Sequence, residues 1–123
     1  MTSNATSFPF FIPTDARSLS IEEVAIVQRL LSGQAEKYKS QEHGLVVVGR
    51  CGCGVCPTIF FQPHAEGDHE RDLISHIGKD SSGGLDSVVL MEKDGLLSQL
   101  EFYSVDGHDP WSVPHAESLE SYL

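Results

Sequence analysis

The chain has 123 residues, with 8 basic and 18 acidic side chains and 40% apolar residues, a balance that fits one domain built on a single two-layer core. That apolar content, with a net charge of −10, excludes a wholly disordered chain, and no apolar run approaches the roughly 20 residues that a membrane-spanning helix needs. Residues 1–6 carry no positive charge ahead of a short aromatic cluster, and three cysteines make an odd number for a closed disulfide framework, so a soluble, cytoplasmic protein is expected.

Taken in chain order, residues 1–17 read as an extended arm, because Pro9 and Pro13 oppose regular helix around Phe8, Phe10, Phe11 and Ile12. The remainder, 18–123, reads as one domain. Ser20 and Glu23 have the spacing of a capping box, and Leu19 can staple onto Val24. Ile21, Val24, Val27, Leu30 and Leu31 then recur at helical spacing, and Gly33 offers a left-handed stop. Beyond this helix the periodicity changes. Residues 45–48 and 58–61 are short β-branched and aromatic runs suited to buried strands. Residues 62–84 are polar and glycine-containing and read as a long mobile loop. The runs 85–92 and 96–105 flank Lys93-Asp94-Gly95, a strong hairpin signal because the turn requires positive φ. In the last of these strands Leu96, Leu100 and Phe102 share one parity, while Gln99, Glu101 and Tyr103 share the other and are expected to face water. The expected fold is α+β: an N-terminal helix packed on a mostly antiparallel sheet of about four strands, in two layers.

The charge is uneven along this plan. Residues 1–61 hold five acids and five bases and are neutral, whereas residues 62–123 hold thirteen acids against Arg71, Lys79 and Lys93, so the whole excess lies there. Such a field disfavours nucleic acid, whose affinity depends on Lys and Arg displacing counterions, and it suits steering of a basic protein partner. Solvated acids that simply keep a small domain soluble would give the same count.

Chemistry concentrates in one place. Cys51-x-Cys53-x-x-Cys56 offers three soft ligands for zinc or copper as Cu(I), and its glycines allow the sulfurs to converge. His43 before the first strand and His64 after the second both flank the same expected hairpin, and either can supply a fourth ligand. Structural zinc sites usually pair two such cysteine elements, and the chain has only one. The bland alternative is three small residues packed in a tight turn. A redox role for Cys53 and Cys56 calls for a helix N-terminus to activate the thiol, but the residues that follow read as a strand. His64, His69 and His76, among Asp68, Glu70 and Asp72, have the residue types of an acid–base site without a recognisable spacing. Gly78-Lys79-Asp80-Ser81-Ser82-Gly83-Gly84 lacks the ending of a phosphate-binding loop. Trp111, between Pro110 and Pro114, is either a partner anchor or a pin for its own segment.

Two stretches, Gly44-Leu45-Val46-Val47-Val48-Gly49-Arg50-Cys51-Gly52-Cys53-Gly54-Val55-Cys56-Pro57-Thr58 and Asp94-Gly95-Leu96-Leu97-Ser98-Gln99-Leu100-Glu101-Phe102-Tyr103-Ser104, carry a resemblance. They resemble a family of small uncharacterised bacterial proteins with a Cys-Gly-Cys-Gly turn and a Leu-Ser-x-Leu-Glu-x-Tyr-Ser strand. The resemblance spans about half the chain, with Val55 standing as an insertion in the turn. It implies a bacterial source and brings no activity or catalytic residues with it.

The leading reading is a non-enzymatic protein-interaction domain, of inhibitor or immunity type, that meets a basic partner through Gln99, Glu101, Tyr103 and Trp111. The alternative is a metal-binding module on Cys51, Cys53 and Cys56, completed by His43 or His64. Exposed sheet edges also allow a homodimer.

Overall fold

In the computed structural model, which describes residues 10–65, 67–107 and 112–121, helix α1 (Ile21–Leu31) starts where the sequence supplies its cap. The Ser20 hydroxyl accepts from the Glu23 N–H at 3.1 Å, and the Glu23 carboxylate accepts from the Ser20 N–H at 2.8 Å. Arg17 then clamps that carboxylate through two bonds of 2.9 and 3.0 Å, tying the preceding segment to the helix start. Burial would raise the Glu23 carboxyl, but the Arg17 guanidinium and the Ser20 N–H outweigh it and hold the group below its ordinary value. The buried face is Ile26, Val27, Leu30 and Leu31, whereas Ile21 is 86% exposed, so the apolar stripe begins one turn later than its spacing suggests. The helix stops at Ser32, whose N–H reaches back to the Arg29 carbonyl, and Gly33 is not left-handed. A single turn, α2 (Glu36–Lys39), and a 3-10 turn (Glu42–Gly44) lead into the sheet.

The sheet has β1 (Phe11–Arg17), β2 (Val47–Cys51), β3 (Ile59–Phe60), β4 (Arg71–Lys79), β5 (Leu85–Lys93), β6 (Leu96–Ser104) and β7 (Glu120–Ser121). Its order is β1-β2-β3-β6-β5-β4-β7 and every pairing is antiparallel. The class is α+β as expected, but the strands among the described residues number seven rather than about four. Each added strand hides its signal for a physical reason. β1 contains Pro13, which an edge strand tolerates, so residues 11–17 of the expected arm are paired to β2. β4 occupies part of the expected loop; a register shift between Asp72 and Ile74 leaves Leu73 as an extra residue and breaks the alternation. β7 spans two residues, too few for any pattern.

Ile59, Leu100, Leu90 and Ile74 form one cross-strand row, and Phe102, Val88 and His76 form the next. The apolar members of these rows pack with the buried face of α1, Tyr38 and Leu119 to make the main core. A second register shift, between Met91 and Glu92, puts Leu97 into that core and leaves Leu96 57% exposed. In the opposite row Phe60 and Gln99 are buried and Met91 is half-buried, while Asp72 at its outer end is exposed. Phe10 and Phe11 meet the Phe60 ring edge-on at 5.5 and 5.0 Å, and His64 meets Phe10 edge-on at 4.9 Å and lies tilted to Phe60 at 5.7 Å. Gly49 suits this cover, since a Cβ there would run into the Phe11 ring. No helix among the described residues is long and apolar enough to cross a membrane.

Candidate metal centre at the β2–β3 turn

The turn between β2 and β3 is fixed at both ends by sheet hydrogen bonding. At its start Cys51 is the last residue of β2 and lies opposite Phe11 of β1. At its end the buried Thr58 side chain accepts from the Phe102 N–H at 3.0 Å, which anchors the exit to β6. Between these anchors Gly54 adopts φ +77, a conformation that favours glycine and turns the chain back on itself.

The result is convergence of three sulfurs. The Sγ atoms of Cys51, Cys53 and Cys56 all lie within 4.8 Å of one another, and Cys53 and Cys56 approach to 3.3 Å. Around a tetrahedral zinc ion with bonds of about 2.3 Å, sulfurs sit roughly 3.8 Å apart, so this spacing can hold a metal ion after small side-chain adjustment. All three thiols are free, with Cys51 buried and the other two half-buried.

The backbone favours sulfur as an anion. Cys53 Sγ accepts from the N–H groups of Val55 and Cys56 at 3.5 and 3.3 Å, and Cys51 Sγ accepts from the Cys53 N–H at 3.4 Å. Burial would raise the Cys53 thiol, but the N–H groups of Cys56 and Val55 and the neighbouring thiols prevail and bring it down to about 7. Burial pushes the Cys51 thiol up to about 12, with the neighbouring thiols adding to it. The group therefore pairs one thiol whose proton is held less tightly than usual with one that needs a strong Lewis acid to displace its proton. Cys56 Sγ lies 3.4 Å from the Thr58 hydroxyl, a neighbour that the cysteine spacing does not announce.

The histidines expected as fourth ligands are not brought to the sulfurs. Among the described residues the metal-competent group contains the three cysteines alone. His43 lies in the 3-10 turn after α2 and lines a shallow groove with Ser18, Leu19 and Gln28. His64 is on the sheet face opposite α1, with Nδ1 3.1 Å from Glu70 Oε2 and 4.0 Å from Asp68 Oδ2. Proximity to the hairpin in sequence is thus not proximity in space; aromatic and carboxylate neighbours hold His64 elsewhere.

The expected partner row is also redistributed. Gln99 is 1% exposed and donates to Glu70 Oε2 at 2.8 Å, because Phe60 and Glu70 cover the face it points to. Glu101 is half-buried, and its carboxyl is raised by burial and by the nearby Asp72 and Glu70 charges. Only Tyr103, 49% exposed, stands open. Trp111 lies outside the described residues. His76 sits in the row of Val88 and Phe102, on the α1 side, so it does not join His64 in an acid–base site.

No family model, curated protein or solved structure matches the chain.

Proposed function

We propose that the protein is a metal-binding module in which Cys51, Cys53 and Cys56 hold one soft ion, zinc or Cu(I). The observation that carries this reading is the convergence of the three sulfurs within 4.8 Å on a turn whose N–H groups point at Cys53. Thiolates are the donor type that selects such ions over magnesium or calcium. Three sulfurs suit a trigonal Cu(I) ion directly. With zinc they leave a fourth position to water or an incoming ligand, which makes the site one for exchange rather than a closed structural clip. The turn is held by β1 and β6 without the ion, so the fold is expected to survive metal removal.

The test is elemental analysis of protein purified without chelators, followed by zinc and Cu(I) titration. One ion bound per chain, lost on mutation of any of the three cysteines, supports the reading. Less than about 0.1 metal per chain with no gain on titration overturns it.

A second reading, a protein-interaction domain of inhibitor or immunity type, is favoured by one observation. Tyr103 and Val105 are 49% and 48% exposed at the end of β6, in the acidic half of the chain. An aromatic and an aliphatic side chain among acids suit a basic partner. A pull-down at low salt tests it: salt-sensitive capture that Tyr103→Ala abolishes supports it, and recovery of nothing counts against it.

A further inference from the structure

The three cysteines are not equivalent, and the difference follows from where each sits. Cys51 is 8% exposed and is held in the β1–β2 ladder opposite Phe11. Cys53 and Cys56 belong to the turn itself, are half-buried, and have their sulfurs 3.3 Å apart. A disulfide needs about 2.05 Å, so closing the pair calls for roughly 1.2 Å of approach. Of the two residues between them, Gly54 has open space where a side chain would stand and Val55 is 64% exposed, so little packing opposes that movement. The N–H groups of Val55 and Cys56 donate to Cys53 Sγ, which supplies locally what a helix N-terminus supplies in other reactive thiols. The strand that follows the turn is therefore no obstacle to thiol chemistry.

We propose that Cys53 and Cys56 form a reversible disulfide with a low-molecular-weight disulfide as oxidant, and that this closure expels the ion from the turn. The Cys53 thiolate attacks one sulfur of the oxidant; a Cys53–sulfur bond forms, the oxidant's own S–S bond breaks, and the released thiolate takes up a proton. Cys56, losing its proton to solvent, then attacks Cys53 Sγ. The Cys53–Cys56 bond forms, the mixed disulfide breaks, and a second thiol leaves. Two electrons pass from the cysteine pair to the oxidant, which departs as two thiols. Cys51 remains a thiol, and one remaining sulfur is a poor site for the ion. The expulsion step rests on the metal-binding reading, whereas the disulfide step does not.

The experiment uses the full chain, reduced and freed of metal with a chelator, exposed to glutathione disulfide, alkylated with N-ethylmaleimide and mapped by mass spectrometry. The expected result is a Cys53–Cys56 crosslink with Cys51 alkylated, and in Cys56→Ser a stalled mixed disulfide on Cys53. Three alkylated cysteines, or a crosslink through Cys51, overturns the proposal. A second arm loads the protein with zinc and follows its release to a chromogenic chelator during oxidation. Release in step with the crosslink is expected, and a crosslinked protein that keeps its zinc overturns the expulsion. A chain that crosslinks without ever binding zinc or Cu(I) removes the metal reading alone; one that binds metal without crosslinking removes this proposal alone.

Discussion

Two hairpin turns hang from strand β6, one directly through β5 and one through β3, and they are built on opposite terms. The β5–β6 turn is two residues long, with Asp94 at φ 55 and Gly95 at φ 84, the conformation that matches the twist of the flanking strands. Its polar groups are matched within the protein: Gln41 donates to the Gly95 carbonyl at 2.9 Å and accepts from the Leu97 N–H at 2.8 Å. The Gly95 N–H donates to Glu92 at 3.2 Å. Such a turn spends the Gly95 backbone groups on its own fold. The β2–β3 turn takes seven residues, 52–58, for the same reversal; the Gly54 N–H donates to the Cys51 carbonyl, but those of Cys53, Val55 and Cys56 are aimed at sulfur. A turn longer than its geometry needs, organised around side chains that bind soft ions, is where chemistry is expected. The first turn is determined by its backbone, and the second by what it surrounds.

The sharpest way to break this contrast is Cys53→Ser. Loss of one thiolate is expected to weaken zinc or Cu(I) binding by about 100-fold or more, since even the partners behind metal ligands are worth about 10–100-fold. The unfolding free energy of the metal-free protein is expected to stay within about 0.5 kcal/mol of the parent value, because the cysteine is half-buried and joins no strand. Titration and denaturant unfolding of one sample read both numbers.

A paired substitution sharpens it. Gly95→Ala and Gly54→Ala each place a side chain at positive φ with open space around it, so each carries about 1 kcal/mol of backbone strain. At Gly95 the cost is expected in the stability of the whole fold. At Gly54 it is expected in metal affinity, with a smaller change in stability, because that turn is not packed on the core. Equal stability losses at the two positions would erase the distinction.

The smallest effect lies on β6 itself, which both hairpins share. The Glu101 carboxyl is raised by burial and by Asp72 and Glu70, so the folded chain favours its neutral form. Its contribution is present below the ordinary carboxylate value and is lost as pH rises through the raised folded value. Glu101→Gln is therefore expected to be more stable than the parent at pH 7, by about 0.5 kcal/mol for a group this open to solvent, and equal to it in acid. Thermal unfolding across pH measures the difference; a deficit at pH 7 would contradict it.

The elements that sequence reveals well are those whose signal is local. Ser20 and Glu23 announce a helix start, and Asp94-Gly95 announces a hairpin, because each motif satisfies its own backbone. The three cysteines are legible for the same reason: six residues contain the whole group. What stays hidden depends on distant neighbours. Leu73 and Ser98 are extra residues at register shifts, and each flips the parity of what precedes it, which conceals β4 and exchanges Leu96 for Leu97 in the core. Gln99 has the parity of a solvated residue, yet Phe60 and the preceding Phe10 and Phe11 give that face a cover of its own. His64 belongs to that cover, and no local pattern separates such a residue from a ligand.

X-ray absorption at the zinc edge of the zinc-loaded chain reads the ligands of the ion themselves. Three sulfurs converging on one ion predict a shell of three sulfurs at about 2.3 Å with a single nitrogen or oxygen at about 2.0–2.2 Å. A shell of nitrogen and oxygen alone, or one sulfur among them, would contradict it.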